Sequence, residues 1–216
     1  MSSLISFISR LTLILLFLPL AATAQIRAVT TTGEEVILNS DGTWRYVNDS
    51  AALAEKVDTS HVAYTRKASA SFLVRSTKTN CGVYLDPKKW AFTKSKGDEA
   101  SEFEFNLRGK DGYAMLITEK IPVPLETLKT IALQNAREAA PDVKLVKQEY
   151  RKVNNKIVLF LQMEGTIQGI AFSYLGYYYS SPKGTMQLVT YTATSLVEEY
   201  LDELEELLNG LMAGTN

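Results

Sequence analysis

The chain holds one cysteine and one histidine, Cys81 and His61. Together they are the raw material of a thiol–imidazole dyad, in which a base takes the proton of a nucleophile across a hydrogen bond. Their settings argue against that use. Cys81 opens the apolar run CGVYL, residues 81 to 85, which reads as a strand. A lone cysteine in a strand is far more often a small buried hydrophobe than a reactive group. His61 falls in the polar, alanine-rich stretch 48 to 66, which reads as a linker. The chain is therefore expected not to be an enzyme, with a hydrolase-type site near Cys81 as the alternative.

Other chemistries lack their residue sets. Zinc takes three or four ligands of His, Cys or carboxylate type, and one His with one Cys does not supply them. Asp98, Glu99, Glu102 and Glu104 are a candidate calcium group, but they lack the Asp-x-Asp-x-Asp-Gly spacing of a dedicated loop. Glu102 and Glu104 also sit on the polar side of the alternating segment EFEFNLR, residues 102 to 108, where solvated charge is the expected reading. Glycoside cleavage needs two acids facing each other across a cleft, whereas Glu119 and Glu164 lie at a strand end and a turn. Gly165 and Gly169 flank a turn with no following Lys-Ser/Thr, so no phosphate-cradling loop is formed. No metal and no cofactor are expected.

The remaining conspicuous residues are aromatic. Tyr174, Tyr177, Tyr178, Tyr179 and Tyr191 crowd two neighbouring strand-like segments, and tyrosines are good strand formers and cross-strand partners. Packing accounts for most of them; any ring left exposed is a stacking surface for a peptide or glycan. A second aromatic pair, Trp44 and Tyr46, lies in GEEVILNSDGTWRYVN, residues 33 to 48, which reads as two strands around a tight turn at Asn39-Ser40-Asp41-Gly42. A lone hairpin is marginal in water, so these rings must dock on the rest of the chain or on another protein. Trp44, Tyr46, Tyr177 and Tyr179 are the candidate partner-binding residues.

The elements that position these residues follow from periodicity. Segments 70 to 75, 81 to 85 and 102 to 108 read as strands, and YAMLIT, residues 113 to 118, is apolar on both faces. After Pro122 and Pro124 the period changes: Leu125, Leu128, Ile131, Ala132, Ala136 and Ala139 recur at helical spacing until Pro141. Residues 143 to 193 return to period two, with apolar side chains on both sides of 156 to 163 and 169 to 180. Strands of that kind are covered on both faces. Short turns between them force antiparallel pairing. Ser195 and Glu198 suggest a capping box for a last helix with the stripe Leu196, Tyr200, Leu204, Leu207, Leu208 and Leu211. Its other side, with Asp202, Glu203, Glu205 and Glu206, is expected to be solvated.

The element order of residues 67 to 211, with GTIQGIAFSYLGYYYSSPKGTMQLVTYT running directly into that helix, resembles the PsbP-like α/β/α sandwich superfamily. The resemblance implies a fold shared by extrinsic photosystem subunits, a nuclear transport factor that binds a small GTPase, and bacterial envelope proteins. It brings no functional residue with it. VILNSDGTWRYV likewise resembles a DGTW-type hairpin found near the start of bacterial secreted proteins. The expected fold class is α+β: a mostly antiparallel β-sheet with helices on both faces, preceded by a β-hairpin.

Residues 1 to 24 read as a cleaved export signal, with Arg10 before the apolar run Leu11 to Leu20 and the small-x-small pattern Ala22-Thr23-Ala24. Pro19 and the shortness of the run leave it below the ~20 residues a membrane span needs. The expected division is a signal at 1–24, a hairpin at 25–48, a linker at 49–66 and a sandwich domain at 67–216. The whole chain has 23 basic and 24 acidic residues, a formal charge of −1. That balance gives no attraction to nucleic acid or to an anionic membrane. Together these readings imply an exported, periplasmic or secreted, non-catalytic accessory or binding protein. A protein partner is expected at the hairpin, and no stable membrane insertion after cleavage.

Overall fold

The computed structural model describes residues 26–29, 35–38, 44–47, 57–96 and 100–214. The expected signal segment, the turn at 39–42, residues 49–56 of the expected linker, and Asp98 and Glu99 of the candidate calcium group lie outside them.

The N-terminal unit has three strands where a two-stranded hairpin was expected. β2 (Glu35–Leu38) pairs antiparallel with β3 (Trp44–Tyr46), placing Val36 opposite Tyr46 and Leu38 opposite Trp44. β1 (Ile26–Val29) pairs along the other side of β2, adding the strand the sequence pattern did not reveal.

The second half of the expected linker is also a strand. β4 (Asp58–Tyr64) pairs parallel with β10 (Lys144–Val153) at the edge of the main sheet. Its side chains are mostly exposed, so no alternating pattern marked it. Tyr64 anchors its end: the Arg151 guanidinium lies 4.5 Å from that ring, and the Tyr64 carbonyl accepts from the Asn154 N–H.

The remaining elements are β5 (Phe72–Arg75), β6 (Cys81–Leu85), β7 (Trp90–Lys94), β8 (Phe103–Leu107), β9 (Gly112–Glu119), α1 (Leu125–Ala139), β11 (Lys156–Ile167), β12 (Ile170–Ser181), β13 (Gly184–Ala193), α2 (Val197–Leu208) and β14 (Leu211–Ala213). Eight strands form the main sheet in the order β4-β10-β11-β12-β13-β9-β8-β7, and β14-β6-β5 form a small second sheet. Apart from β4 with β10, the pairs are antiparallel. The β10–β11 hairpin turns on Asn154 and Asn155, both at positive φ, which short polar side chains tolerate in a two-residue turn. Asn154 does more than turn. Its side-chain amide donates to the carbonyls of Asn209 and Leu211, fastening the hairpin to the end of α2.

Successive residues of a strand point to opposite faces, and here they enter separate cores. On one face Val158, Phe160, Tyr177 and Leu188 pack with Tyr200, Leu204, Leu207 and Leu208 of α2 and with Val74, Val83 and Leu85 of the small sheet. On the other, Leu159, Leu161, Tyr178 and Val189 pack with Leu128 and Ala132 of α1.

The expectation of a sheet clothed by helices needs correcting. Two α-helices occur among the described residues, of 15 and 12 residues, or about 22 and 18 Å long. Eight strands span roughly 35 Å, so neither helix can cover a face. The small sheet shares the α2 side with the helix, and on the α1 side Tyr113, Met115 and Ile117 are only half-buried among the described residues.

Two details of α2 also differ from expectation. No capping box forms: Ser195 lies inside a 3-10 turn, Thr194–Leu196, and the helix start has no side-chain cap. Leu211 belongs to β14, because the helix stops at Leu208 and Gly210 passes hard against the Tyr84 carbonyl. A Cβ at Gly210 would overlap that oxygen.

Candidate functional site

The half-buried part of the α1 face carries an aromatic row set by strand register. Tyr174 of β12 pairs with Tyr191 of β13, which pairs with Tyr113 of β9; Asn106 of β8 and Ala91 of β7 continue the line. The rings stack at 5.6 Å and 5.5 Å between centroids, with interplanar angles of 30° and 23°. Tyr191 is stacked on both sides and Tyr174 and Tyr113 each on one, as cross-strand aromatic pairs do. All three tyrosines are half-buried, and Glu104, Asn106 and Thr93 beside them are exposed. No hydrogen bond reaches the three hydroxyls from the described residues. Burial raises the Tyr191 phenol pKa, and the negative charge of Glu104 raises it further. Tyr174 and Tyr191 are among the tyrosines the sequence offers as a stacking surface where exposed, whereas Tyr113 joins them only through strand register. The available signal was the alternation of Tyr113, Met115 and Ile117 on one side of β9.

The four sequence-based candidates divide. Tyr177 and Tyr179 are 0% and 8% exposed, so neither ring offers a surface to a partner: both point into the α2-side core. The Tyr177 hydroxyl donates to Asn209 Oδ1 at 2.9 Å and accepts from Arg151 Nη1 at 3.2 Å. Burial, only partly offset by Arg151, pushes its pKa up to about 12. Trp44 and Tyr46 lie on β3; their side chains fall outside the described residues.

Cys81 is 6% exposed and unpaired. Burial pushes its thiol pKa up, against weaker pulls from the Thr79 hydroxyl and Lys156, so the thiolate a nucleophile requires is disfavoured. It borders a small cleft that also involves Thr79, Asn80, Tyr179, Ser181 and Lys183. His61 is exposed on the edge strand β4.

Three buried ions look chemical but are spoken for. Glu102, expected on a wet strand face, is 5% exposed. Its carboxylate accepts from Ser76 Oγ at 2.7 Å, Thr77 Oγ1 at 2.7 Å, Thr118 Oγ1 at 2.6 Å and the Thr77 N–H. Burial alone would raise its pKa; these donors outweigh it and hold the group below the ordinary carboxylate range. Glu206, expected among solvated acids, is buried against Lys89 at 2.7 Å and Ser69 at 2.7 Å. Arg151 donates to Glu149 at 2.7 Å and lies 3.7 Å from the Phe160 ring centre. Fully bonded sets like these rigidify a core. No group of three or more His, Cys, Asp or Glu among the described residues is arranged to hold a metal ion. No helix among them is long and apolar enough to cross a membrane.

This two-faced, mostly antiparallel architecture is the PsbP-like fold. The solution structure of cyanobacterial PsbP (CyanoP) from Synechocystis sp. PCC 6803 superposes with a TM-score of 0.54 at 14% identity, over 67% of this chain and 94% of that one. A Pseudomonas aeruginosa protein of unknown function matches with a TM-score of 0.43 at 11% identity, over 67% and 98% of the two chains. LpqN, involved in cell envelope biogenesis in Mycobacterium tuberculosis, matches at 0.41 and 9%, over 65% and 88%. No protein-family model and no curated protein matches the sequence.

Proposed function

We propose that the chain is an exported, non-catalytic accessory protein of the cell envelope, periplasmic or secreted, that works by binding. The observation that carries this reading is the condition of Cys81: it is the one thiol in the sequence, and it is buried, which raises its pKa. Export is supported by the signal pattern of residues 1 to 24, with β1 beginning at Ile26 just past the expected cleavage point.

The N-terminal strands are the part we assign to a protein partner. Ile26 and Val29 of β1 and Leu38 of β2 are exposed, and among the described residues β1 and β3 each pair on one side only. Apolar side chains beside free strand edges favour capture of another chain, and Trp44 and Tyr46 on β3 add aromatic anchors. Pull-down from the native envelope tests this: a partner retained by the wild type is expected to be lost from Trp44→Ala. Identical recovery by both proteins would overturn the assignment.

The cleft beside Cys81 supports a second reading, a hydrolase-type enzyme centred there. Labelling the native thiol with a maleimide separates the two. Slow labelling, matched to unfolding, is expected; fast labelling of the folded protein would favour the enzyme.

A further inference from the structure

Both larger sheet edges meet at one corner of the molecule. β7 closes the main sheet and β5 the small one, each paired on one side only among the described residues. Phe92 of β7 and Phe72 of β5 touch across that corner, with ring centres 5.6 Å apart. They are 40% and 45% exposed, although Phe103 and Phe105 lie against Phe92 at 6.2 Å and 6.4 Å. We infer that the free edge of β7 takes an extended, acid-flanked segment of another protein as an added strand, whose apolar side chains settle on Phe92 and Phe72. The inference rests on the proposed binding role and gives it a second surface, on the main sheet instead of the N-terminal strands.

The backbone of this edge is available in a defined phase. At the two ends of the β7–β8 pair, the Arg108 N–H donates to the Lys89 carbonyl and the Ser95 N–H to the Glu102 carbonyl. Antiparallel neighbours exchange bonds at every second residue, so Ala91 and Thr93 spend theirs on Asn106 and Glu104. Phe92 and Lys94 therefore turn both N–H and C=O outward. The Trp90 carbonyl joins them, while its N–H is taken by the Asp86 carbonyl. Outward main-chain groups beside an exposed apolar ring are what strand addition uses, the first for affinity and the second for selection.

Charge selects the occupant. Lys88 precedes β7, Lys94 ends it and Lys96 follows, and all three are exposed. None has a carboxylate partner among the described residues. Glu104 stands opposite Thr93, so it points to the other face of the sheet from Phe92 and Lys94. Lysines at an edge ordinarily hold other sheets off, but an edge built only to repel would not set exposed rings between them. A second copy of this chain would bring its own lysines to the seam, and like charges directly opposite are unfavourable. A strand with carboxylates on either side of its apolar residues turns the same lysines into attractive partners. Single-stranded nucleic acid would also meet cations and rings, yet it leaves the outward groups of Phe92 and Lys94 unread.

The test is an NMR titration of the processed chain with the capped octapeptide Glu-Glu-Val-Thr-Val-Thr-Glu-Glu, which carries Glu, Val, Val and Glu along one face, in the millimolar range. Saturable shifts are expected along β7 and at Phe72. Hydrogen exchange at the Phe92 and Lys94 amides should slow about tenfold or more as they gain partners, while Ala91 and Thr93, already bonded, change little. Lys94→Glu should weaken binding about fivefold to tenfold, and Phe72→Ala about threefold to tenfold. Should Phe72→Ala fail to fold, the exposed Lys94→Glu carries the comparison. The inference is overturned by no saturable shift, by saturation that leaves exchange at Phe92 and Lys94 unchanged, or by equal binding of the peptide with Lys in place of Glu or of an oligothymidine of the same length. Self-association that slows the same amides with no peptide present would assign the edge to a second copy and overturn it too. If the peptide fails while the Trp44-dependent partner is retained, the accessory role stands and this edge does not. If it binds while partner recovery is independent of Trp44, the edge stands and the N-terminal assignment falls.

Discussion

The two faces of the main sheet carry similar strands but end differently. On the α2 side the helix and a second small sheet share the work, and Leu204, Leu208 and Leu188 have no solvent exposure, with Phe72 and Phe92 left exposed at the β7 end. On the α1 side the helix packs on Leu159, Leu161, Tyr178 and Val189, and beyond them the half-buried Tyr191 and Tyr113 shield one another. The difference teaches that a row of stacked rings can stand in for a missing layer. It does so at the cost of leaving polar tips in water.

The contrast can be broken in three ways. Leu204→Ala on the closed face should cost about 2–5 kcal/mol, whereas Met115→Ala beside the half-buried row should cost under about 1.5 kcal/mol; urea unfolding of the two variants that gave equal losses would erase the distinction. Glu102→Gln, removing the charge from its ring of hydroxyl donors, should cost about 1–3 kcal/mol near neutral pH. The sign of its pH dependence follows from the lowered native pKa. Its stabilising effect is complete above the unfolded carboxylate value near ~4 and fades as pH falls through the lower native value. Melting temperatures should therefore drop on acidification more steeply in the wild type than in Glu102→Gln, and parallel curves would count against the buried carboxylate. The smallest effect is a pair of hydroxyl deletions. Tyr177→Phe loses bonds to Asn209 and Arg151 and should cost about 1 kcal/mol. Tyr191→Phe, whose hydroxyl has no bond among the described residues, should stay within ~0.5 kcal/mol, as differential scanning calorimetry would show.

Much of this architecture was readable from periodicity. The helical spacing bounded by Pro124 and Pro141 located α1, and apolar residues on both sides of 156 to 163 and 169 to 180 marked central strands. What failed depended on distant partners. β4 looks like linker because a parallel edge strand buries little. Glu102 looks solvated because its four donors come from residues 76, 77 and 118. Tyr177 and Tyr179 belong to the same aromatic run as Tyr174, and only the direction each faces separates buried rings from the half-open row. The run fixes that direction as alternating, but which side a second small sheet would cover was invisible, since β14 joins β6 across most of the chain.

The ties that close the α2 side are among the most distant in sequence. Ser69 reaches Glu206 across 137 positions, and Lys89 reaches the same carboxylate across 117. Until such remote segments meet, the loop between them must be ordered with little return, so this topology folds slowly. That delay leaves the α2 side pliable until the last helix and the small sheet have found one another.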